Sequence, residues 1–335
     1  MTIQLIQSDS DFFNLKREWN ALLQDSASHV PFLRHEYLFG WWKTLGGGEW
    51  DQGTLSILIE RDANNTLVGA APLFMVDHQV MFLGSVEISD YLDLIAPIEN
   101  LPSFIERIFQ FLTTGDFPEW HSLIFDNMLE NSPSIEHIEK VAAELGFEFF
   151  QKVIQPAPYL PLPKTWKDYL NDLEDRYSHE VTRKIRKAEG YFLPIDWYIV
   201  SDSETIANEM EDFLELMANN PDKKEFLTDA MCQHMVASAK SAFEEGWLQL
   251  AFLTVGDLKV AGYLNFDFDG KIWVYNSGIN PLFENLSPGW VLLSYLIQWS
   301  IQEGKTVFDF MRGDEAYKYQ FGGINKNILQ LKILK

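Results

Sequence analysis

Asp309 stands in the apolar run Val307-Phe308-Asp309-Phe310-Met311, where an ionised carboxylate needs a partner. Arg312, Tyr317 and Lys318 follow closely, so a cation can fold back on it. Two roles fit. The carboxylate takes a proton from an attacking amine as a general base, or it forms an ion pair that orients Tyr317 and Lys318. Upstream, the strand-like run 271–278 carries Tyr275, Asn276, Ser277 and Gly278. Ser287-Pro288-Gly289-Trp290 then opens an apolar-faced helix. First-turn amides of a helix have no internal partner and attract anions. Pro288 gives up an amide that would be unpaired anyway, and Gly289 lets a ligand reach the backbone. The same residues also make an ordinary helix start with Ser287 as cap.

Arg176, Arg183, Lys184, Arg186 and Lys187 form a basic run in an acidic chain. Val181, Ile185 and Ala188 give this run an apolar stripe, so it docks as a helix. Its charges, Arg183 and Arg186 among them, either receive an anionic ligand or form a solvated face. In the first half, Asp90 and Tyr91 follow a strand-like run and either line a binding site or make an Asx turn. The chain has no Gly-x-x-x-x-Gly-Lys-Ser/Thr, Gly-x-Gly-x-x-Gly, Gly-x-Ser-x-Gly or His-Glu-x-x-His sequence, and its seven histidines do not cluster at ligand spacing. Nucleotide-loop, nicotinamide, serine-hydrolase and metal chemistry are therefore not expected.

The elements that must position these residues are legible as patterns. Strands are expected at 54–60, 67–76, 79–84 and 122–127, with helices at 11–24, 36–45, 101–114 and 134–146. Pro156, Pro158, Pro161 and Pro163 cannot continue a helix or central strand and read as a link between halves. Beyond it, Thr165 caps a helix reaching Lys187, strand 196–200 follows, then helices at 204–218 and 226–245. Strands at 248–254, 258–267 and 272–278, helix 288–302 and strand 307–311 complete the second half. The halves repeat: Val80 to Ser85 falls on Ile272 to Ser277, each within hairpin, strand, helix, strand. In such α/β sheets ligands bind beyond the strands' carboxyl ends.

The 335 residues suit two domains, and 47% of them are hydrophobic, enough for sizeable cores. With 26 basic and 49 acidic residues the net charge is −23, so no nucleic-acid partner is expected. The single cysteine, Cys232, excludes an internal disulfide and reads as a structural thiol in a helix. The first residues carry no basic segment or long apolar core, so neither a leader nor a membrane span is expected, and the expected location is cytoplasmic.

Tyr275-x-x-Gly278, Ser287-Pro288-Gly289, Asp309-Phe310-x-x-Gly313 and Tyr317-Lys318-x-x-Phe321-Gly322, in this order, resemble the GNAT-related acetyltransferases grouped with CelD-type cellulose-biosynthesis proteins. These are similar to the FemAB-like double-GNAT transferases. Trp41-Trp42 and Ser89-Asp90-Tyr91 match the pattern too. The resemblance implies an α/β fold of two tandem GNAT-like domains, 1–155 and 164–335, each a mixed central sheet flanked by helices. It implies acetyl-CoA as acyl donor, no metal, and a small-molecule or glycan-precursor acceptor.

On this resemblance the pantetheine lies between splayed strands 272–278 and 307–311, and the pyrophosphate sits at the start of helix 288–302. Asn276, Ser277, Gly278, Ser287, Gly289, Trp290, Arg183 and Arg186 then hold the donor. Asp90, Tyr91, Tyr275 and Arg312 hold the acceptor, and Asp309, Lys318 and Tyr317 do the chemistry. The GNAT phosphate signature Gln/Arg-x-x-Gly-x-Gly/Ala is kept at Gly289 but not at Leu286 or Val291. Leu101-Pro102-Ser103, the equivalent helix start of the first half, has no glycine, which directs the donor to the second half. Three functions remain open: direct acyl transfer to an amine or hydroxyl, FemAB-type aminoacyl transfer, and a non-catalytic accessory of polysaccharide or cell-surface synthesis.

Overall fold

Period-two alternation and helical apolar stripes build two units in the computed structural model, which describes residues 2–335. The first unit runs to Gln155 and takes back Asn327–Lys335; the second is Pro156–Lys326. In the first unit the strands are β1 (Thr2–Ile6), β2 (Thr54–Leu55), β3 (Ile57–Arg61), β4 (Leu67–Ala71), β5 (Leu73–Val76), β6 (Gln79–Phe82), β7 (Ser122–Leu129) and β8 (Glu148–Pro156). Its helices are α1 (Asp9–Asn14), α2 (Lys16–Gln24), α3 (His35–Gly48), α4 (Leu101–Leu112) and α5 (Ser134–Glu144). Helix α4 shows why the pattern folds so. Leu101, Phe104, Ile105, Ile108, Phe109 and Leu112 recur at helical spacing and are all buried. The abundant aromatics serve the same end, with Trp19, Trp41, Phe74, Phe82 and Phe104 fully buried.

The second unit opens with β9 (Tyr159–Pro161), α6 (Trp166–Asp172), α7 (Asp175–Glu189), β10 (Ile195–Ile199), α8 (Ile206–Met217), α9 (Pro221–Phe226) and α10 (Asp229–Glu244). It continues with β11 (Leu248–Val255), β12 (Leu258–Phe268), β13 (Lys271–Ile279), α11 (Pro288–Gln302), β14 (Val307–Asp309) and α12 (Ala316–Gln320). Its mixed sheet has the order β10-β11-β12-β13-β14-β9. Helices α7 and α11 pack on one face, burying Val181, Ala188, Val291, Leu292, Leu296 and Ile297 against Ala251, Leu253, Tyr263 and Val274. The last strand, β15 (Asn327–Leu334), belongs to the first unit, whose larger sheet runs β2-β5-β6-β7-β15-β8.

The two units repeat one motif. Strand β6 pairs with β7 in parallel from Gln79 opposite Ser122, and β13 with β14 from Lys271 opposite Val307. The register Val80-on-Ile272 expected from sequence holds in both sheets, since each residue is the second of its parallel ladder.

Several expectations are corrected. Residues 327–335 do not belong with the second domain; Ile328, Leu329, Leu331 and Ile333 bury in the first. The proline passage is no mere link, because Tyr159–Pro161 forms an edge strand against β14, where proline's missing amide costs no ladder bond. Thr165 does cap a helix, accepting from Asp168 N, but α6 stops at Asp172 and α7 starts anew at Asp175. The expected strand 307–311 ends at Asp309, because Met311 turns left-handed at φ 60°. Asp90 and Tyr91 do not end a strand. They lie buried beyond β6, with Tyr91 at φ 59°.

Candidate active site

Strands β13 and β14 pair only from Lys271–Val307 to Trp273–Asp309. Past that point β14 has ended, while β13 continues against β12 to Ile279. A bulge in the β12–β13 register, at Leu264/Asn265, lets Tyr275 slip out of line where the strands part. The result is an open edge on β13. Asn280 N donates to Val260 O, which sets the phase of the ladder. Asn276 and Gly278 therefore face β12, and Ser277 turns its N–H and C=O to the open edge.

A cavity of about 560 Å³ lies along this edge, inside the second unit. Ser277, Gly278, Ser287, Gly289, Trp290 and Tyr317 line it, six of the residues expected from sequence. Lys223, Tyr263 and Glu284 line it as well and were missed. Helix α11 begins at this cavity. Ser287 does not cap it: the residue is left-handed, at φ 53°, and its side chain makes no capping bond. Pro288 has no amide, so the amides of Gly289 and Trp290 are the first-turn donors left without a helical carbonyl. A Cβ on Gly289 would sit 3.2 Å from Ile279 Cγ2. Gly278 has another reason to be glycine, because a Cβ there would overlap the backbone of Leu216 and Met217 at the end of α8.

The basic helix reaches this place by other residues than expected. Lys184 lies with Nζ 3.7 Å from the centre of the Trp290 ring, and Lys187 Nζ donates to Asn285 O at 2.5 Å. Arg183 is bound to Glu180 at 2.8 Å on an exposed surface, and Arg186 is exposed too. The apolar stripe of Val181, Ile185 and Ala188 faces the core, which turns positions 184 and 187 towards α11 and leaves 183 outside.

Tyr317 is the one expected catalytic residue that lines the cavity. Burial, with Tyr263 and Glu315 beside it, raises its phenol well above the usual value, so it stays protonated at neutral pH. The expected Asp309–Lys318 pair is not formed. Asp309, 1% exposed, accepts from Lys326 Nζ at 2.6 Å and from Met311 N at 2.9 Å. Lys318 Nζ serves the loop instead. It donates to the carbonyls of Met311, Arg312 and Gly313 at 3.2, 2.6 and 3.4 Å and pairs with Glu315 at 2.9 Å. A loop turned by Met311 and Gly313 points its carbonyls inward, and the ammonium gathers them. Arg312 thus enters through its carbonyl, and Tyr275 through its ring, 5.2 Å from that of Phe266. Asp90 and Tyr91 belong to the first unit and do not line this cavity.

Lys223 comes from α9, a one-turn element that Asn220 caps by accepting from Asp222 N and Lys223 N. Its ammonium donates to Ser277 O at 2.6 Å and Asn276 Oδ1 at 2.8 Å. Burial pushes it down to about 8, with Glu315 opposing and Lys318 adding to the shift. The Asn-Pro start of α9 is a helix signal, but no local pattern marks this lysine as facing a strand residue 54 positions further along the chain rather than solvent. Cys232 is half-buried in α10, its thiol raised by burial, as a structural thiol should be. Among the described residues, no group of three or more His, Cys, Asp or Glu is placed to hold a metal ion.

An open parallel-strand edge meeting a helix start defines a class. Residues 175–319 match the family model of the acetyltransferase (GNAT) domain, so the second unit carries a GNAT domain, that of an acyltransferase. Over the whole chain the fold is that of FemX, at TM-score 0.66 and 11% identity, covering 98% of this chain and 97% of that one. A conserved protein from Bacteroides thetaiotaomicron VPI-5482 is similar at TM-score 0.64 and 12% identity, over 100% of both chains. The C-terminal domain of a putative lysylphosphatidylglycerol synthetase from Agrobacterium fabrum follows at TM-score 0.57 and 10% identity, over 98% and 93%. Comparison with curated protein sequences gives no match. The FemAB-like architecture expected from the motifs is thus met at the level of fold.

Proposed function

We propose that the protein transfers an acetyl group from acetyl-CoA directly to an amine or hydroxyl of a small-molecule or glycan-precursor acceptor. The observation that carries this is the single cavity wall shared by the open edge of β13 and the unpaired amides of Gly289 and Trp290. The open edge suits the amides of a pantetheine arm, and the helix start suits its pyrophosphate. Lys184 and Lys187 add positive charge beside that helix start. The acceptor's lone pair attacks the thioester carbonyl carbon, the C–S bond breaks, and the acceptor's proton passes to solvent. Tyr317 keeps its proton at neutral pH and is the cavity group suited to hydrogen-bond the leaving thiolate, which takes up a proton from solvent in exchange for the one the acceptor releases. Asp309 and Lys318 act by shaping the 311–313 loop rather than by touching the acceptor. Such a reaction belongs in the cytoplasm, where acyl-CoA is available.

A second reading is aminoacyl transfer, favoured by the likeness to the lysylphosphatidylglycerol synthetase domain. The net charge of −23 weighs against a tRNA donor. Thermal unfolding with acetyl-CoA separates the two. At about a hundred times its Kd a ligand adds about 2.7 kcal/mol, which raises Tm by a few degrees in a chain of this size. The expected result is such a shift, followed by label transfer from acetyl-CoA to an amine or hydroxyl library. No shift at millimolar acetyl-CoA, with calorimetry also silent, removes the acetyl-CoA reading.

A further inference from the structure

The open edge of β13 is not bare. Between the bulge at Tyr275 and the strand's last residue, Ile279, Ser277 is the residue whose backbone faces away from β12, and both of its groups are already bonded by side chains. Its N–H donates to Asn276 Oδ1 at 2.9 Å, and its C=O accepts from Lys223 Nζ at 2.6 Å. Lys223 also holds Asn276 Oδ1 at 2.8 Å, so the ammonium, the carboxamide and the peptide groups close into one ring. Together the two side chains offer this edge one acceptor and one donor, the same pair that an added strand or an amide-bearing chain would offer. We propose that Lys223 is a displaceable cap on this edge, and that an extended amide-bearing arm, the pantetheine of an acyl-CoA, binds by taking its place. This rests on the acyl-CoA reading above.

Three features make the cap displaceable rather than structural. It is delivered by α9, a six-residue element between two longer helices, so its removal leaves the sheet intact. It lies in the wall of the 560 Å³ cavity, so the freed side chain has room to move. Its charge sits poorly there, as the depressed ammonium shows, so return to water recovers hydration. Donor affinity is therefore set below what the edge and helix start alone would give, because the arm competes with a built-in occupant.

The test is calorimetric titration of the full chain with acetyl-CoA, comparing wild type with Lys223→Met and Asn276→Ala. Both variants should bind several-fold more tightly, with unchanged far-UV circular dichroism. Binding by the variants where wild type shows none supports the cap equally. If wild type binds and both variants bind equally or more weakly, the cap is wrong while the acyl-CoA reading stands; the lysine is then a donor contact or a bystander. If neither wild type nor variants bind, both fall together. Asn276→Ala also guards against misfolding at position 223, since it loosens the same ring from the strand side. S-acetylpantetheine, which lacks the nucleotide, must show the same gain, because the cap competes with the arm. A gain that vanishes with this truncated probe places the lysine's effect at the phosphates and overturns the proposal.

Discussion

Lys318 is 2% exposed, and the carbonyls of Met311, Arg312 and Gly313 gather around its Nζ. Gly313 completes the arrangement at φ 115°, where a Cβ would lie 2.9 Å from that ammonium. Asp309 is buried by a different device, the ion pair with Lys326. Removing one partner of a buried pair leaves the other uncompensated, at about 3–5 kcal/mol. Asp309→Asn and Lys326→Met should therefore each lower stability, and the double variant should lose less than the sum. A coupling of roughly 0.5–3 kcal/mol is expected from denaturant unfolding of the cycle, and strict additivity would refute the pairing. The sequence announced that Asp309 needs a cation, and it does. It did not identify which one. Lys318 is nearer along the chain, but α12 intervenes and aims it at the loop, while Lys326 returns beside Asp309 where β9 and the chain after α12 meet.

At the scale of elements, the start of α11 comes close to the end of β13 at Gly289, where an added Cβ would lie 3.2 Å from Ile279 Cγ2. Gly289→Val should keep the fold, since Ile279 is 42% exposed and can give way, yet it should fill the approach to the first-turn amides. Circular dichroism stays native and acetyl-CoA affinity falls about tenfold or more; an unchanged Kd moves the pyrophosphate elsewhere, to Lys184 and Lys187. Helix α10 carries a pH dependence. His234, 1% exposed, is pushed down to about 4 by burial. Its unfolded value is higher, so the unfolded state binds the proton first as pH falls. The stability it contributes is full above about 6.5 and lost towards 4, on the order of 3 kcal/mol. His234→Gln should flatten the acid limb of Tm against pH, and an unaltered slope would place that limb in other groups. Elements were legible wherever apolar spacing is strict, as in α4 and α7. Lys223 was not, because a single turn has too few residues for periodicity to show which way it faces.

For the molecule as a whole, the decisive feature is the return of β15. The alternation Leu329, Leu331, Ile333 marks a strand, but pairing with β7 two hundred residues earlier leaves no local trace. This is why sequence placed these residues with the segment they follow. Ala157 N donates to Lys326 O at 2.7 Å, so the two ends of the second unit lie side by side. Removing residues 327–335 should unfold the first unit. Four buried aliphatics at about 1.5–3 kcal/mol each match the entire stability of a domain. Residues 156–326 alone should keep a cooperative transition. Limited proteolysis reads both outcomes, and a truncated chain whose first unit resists protease contradicts the assignment.

Synthesis on the ribosome runs in one direction, and this gives the returning strand a consequence in time. The first unit is made first and finished last. At about 5–20 residues per second, the inserted 156–326 segment occupies roughly 10–30 s of translation, during which β7 and β8 wait with a gap between them. Unpaired strand edges recruit other chains, so this interval is when the nascent protein is most exposed to aggregation. The inserted unit has all its own strands by residue 326 and folds ahead of the unit that precedes it. A message cut short just before codon 327 therefore yields a chain whose newest unit is sound and whose oldest is broken.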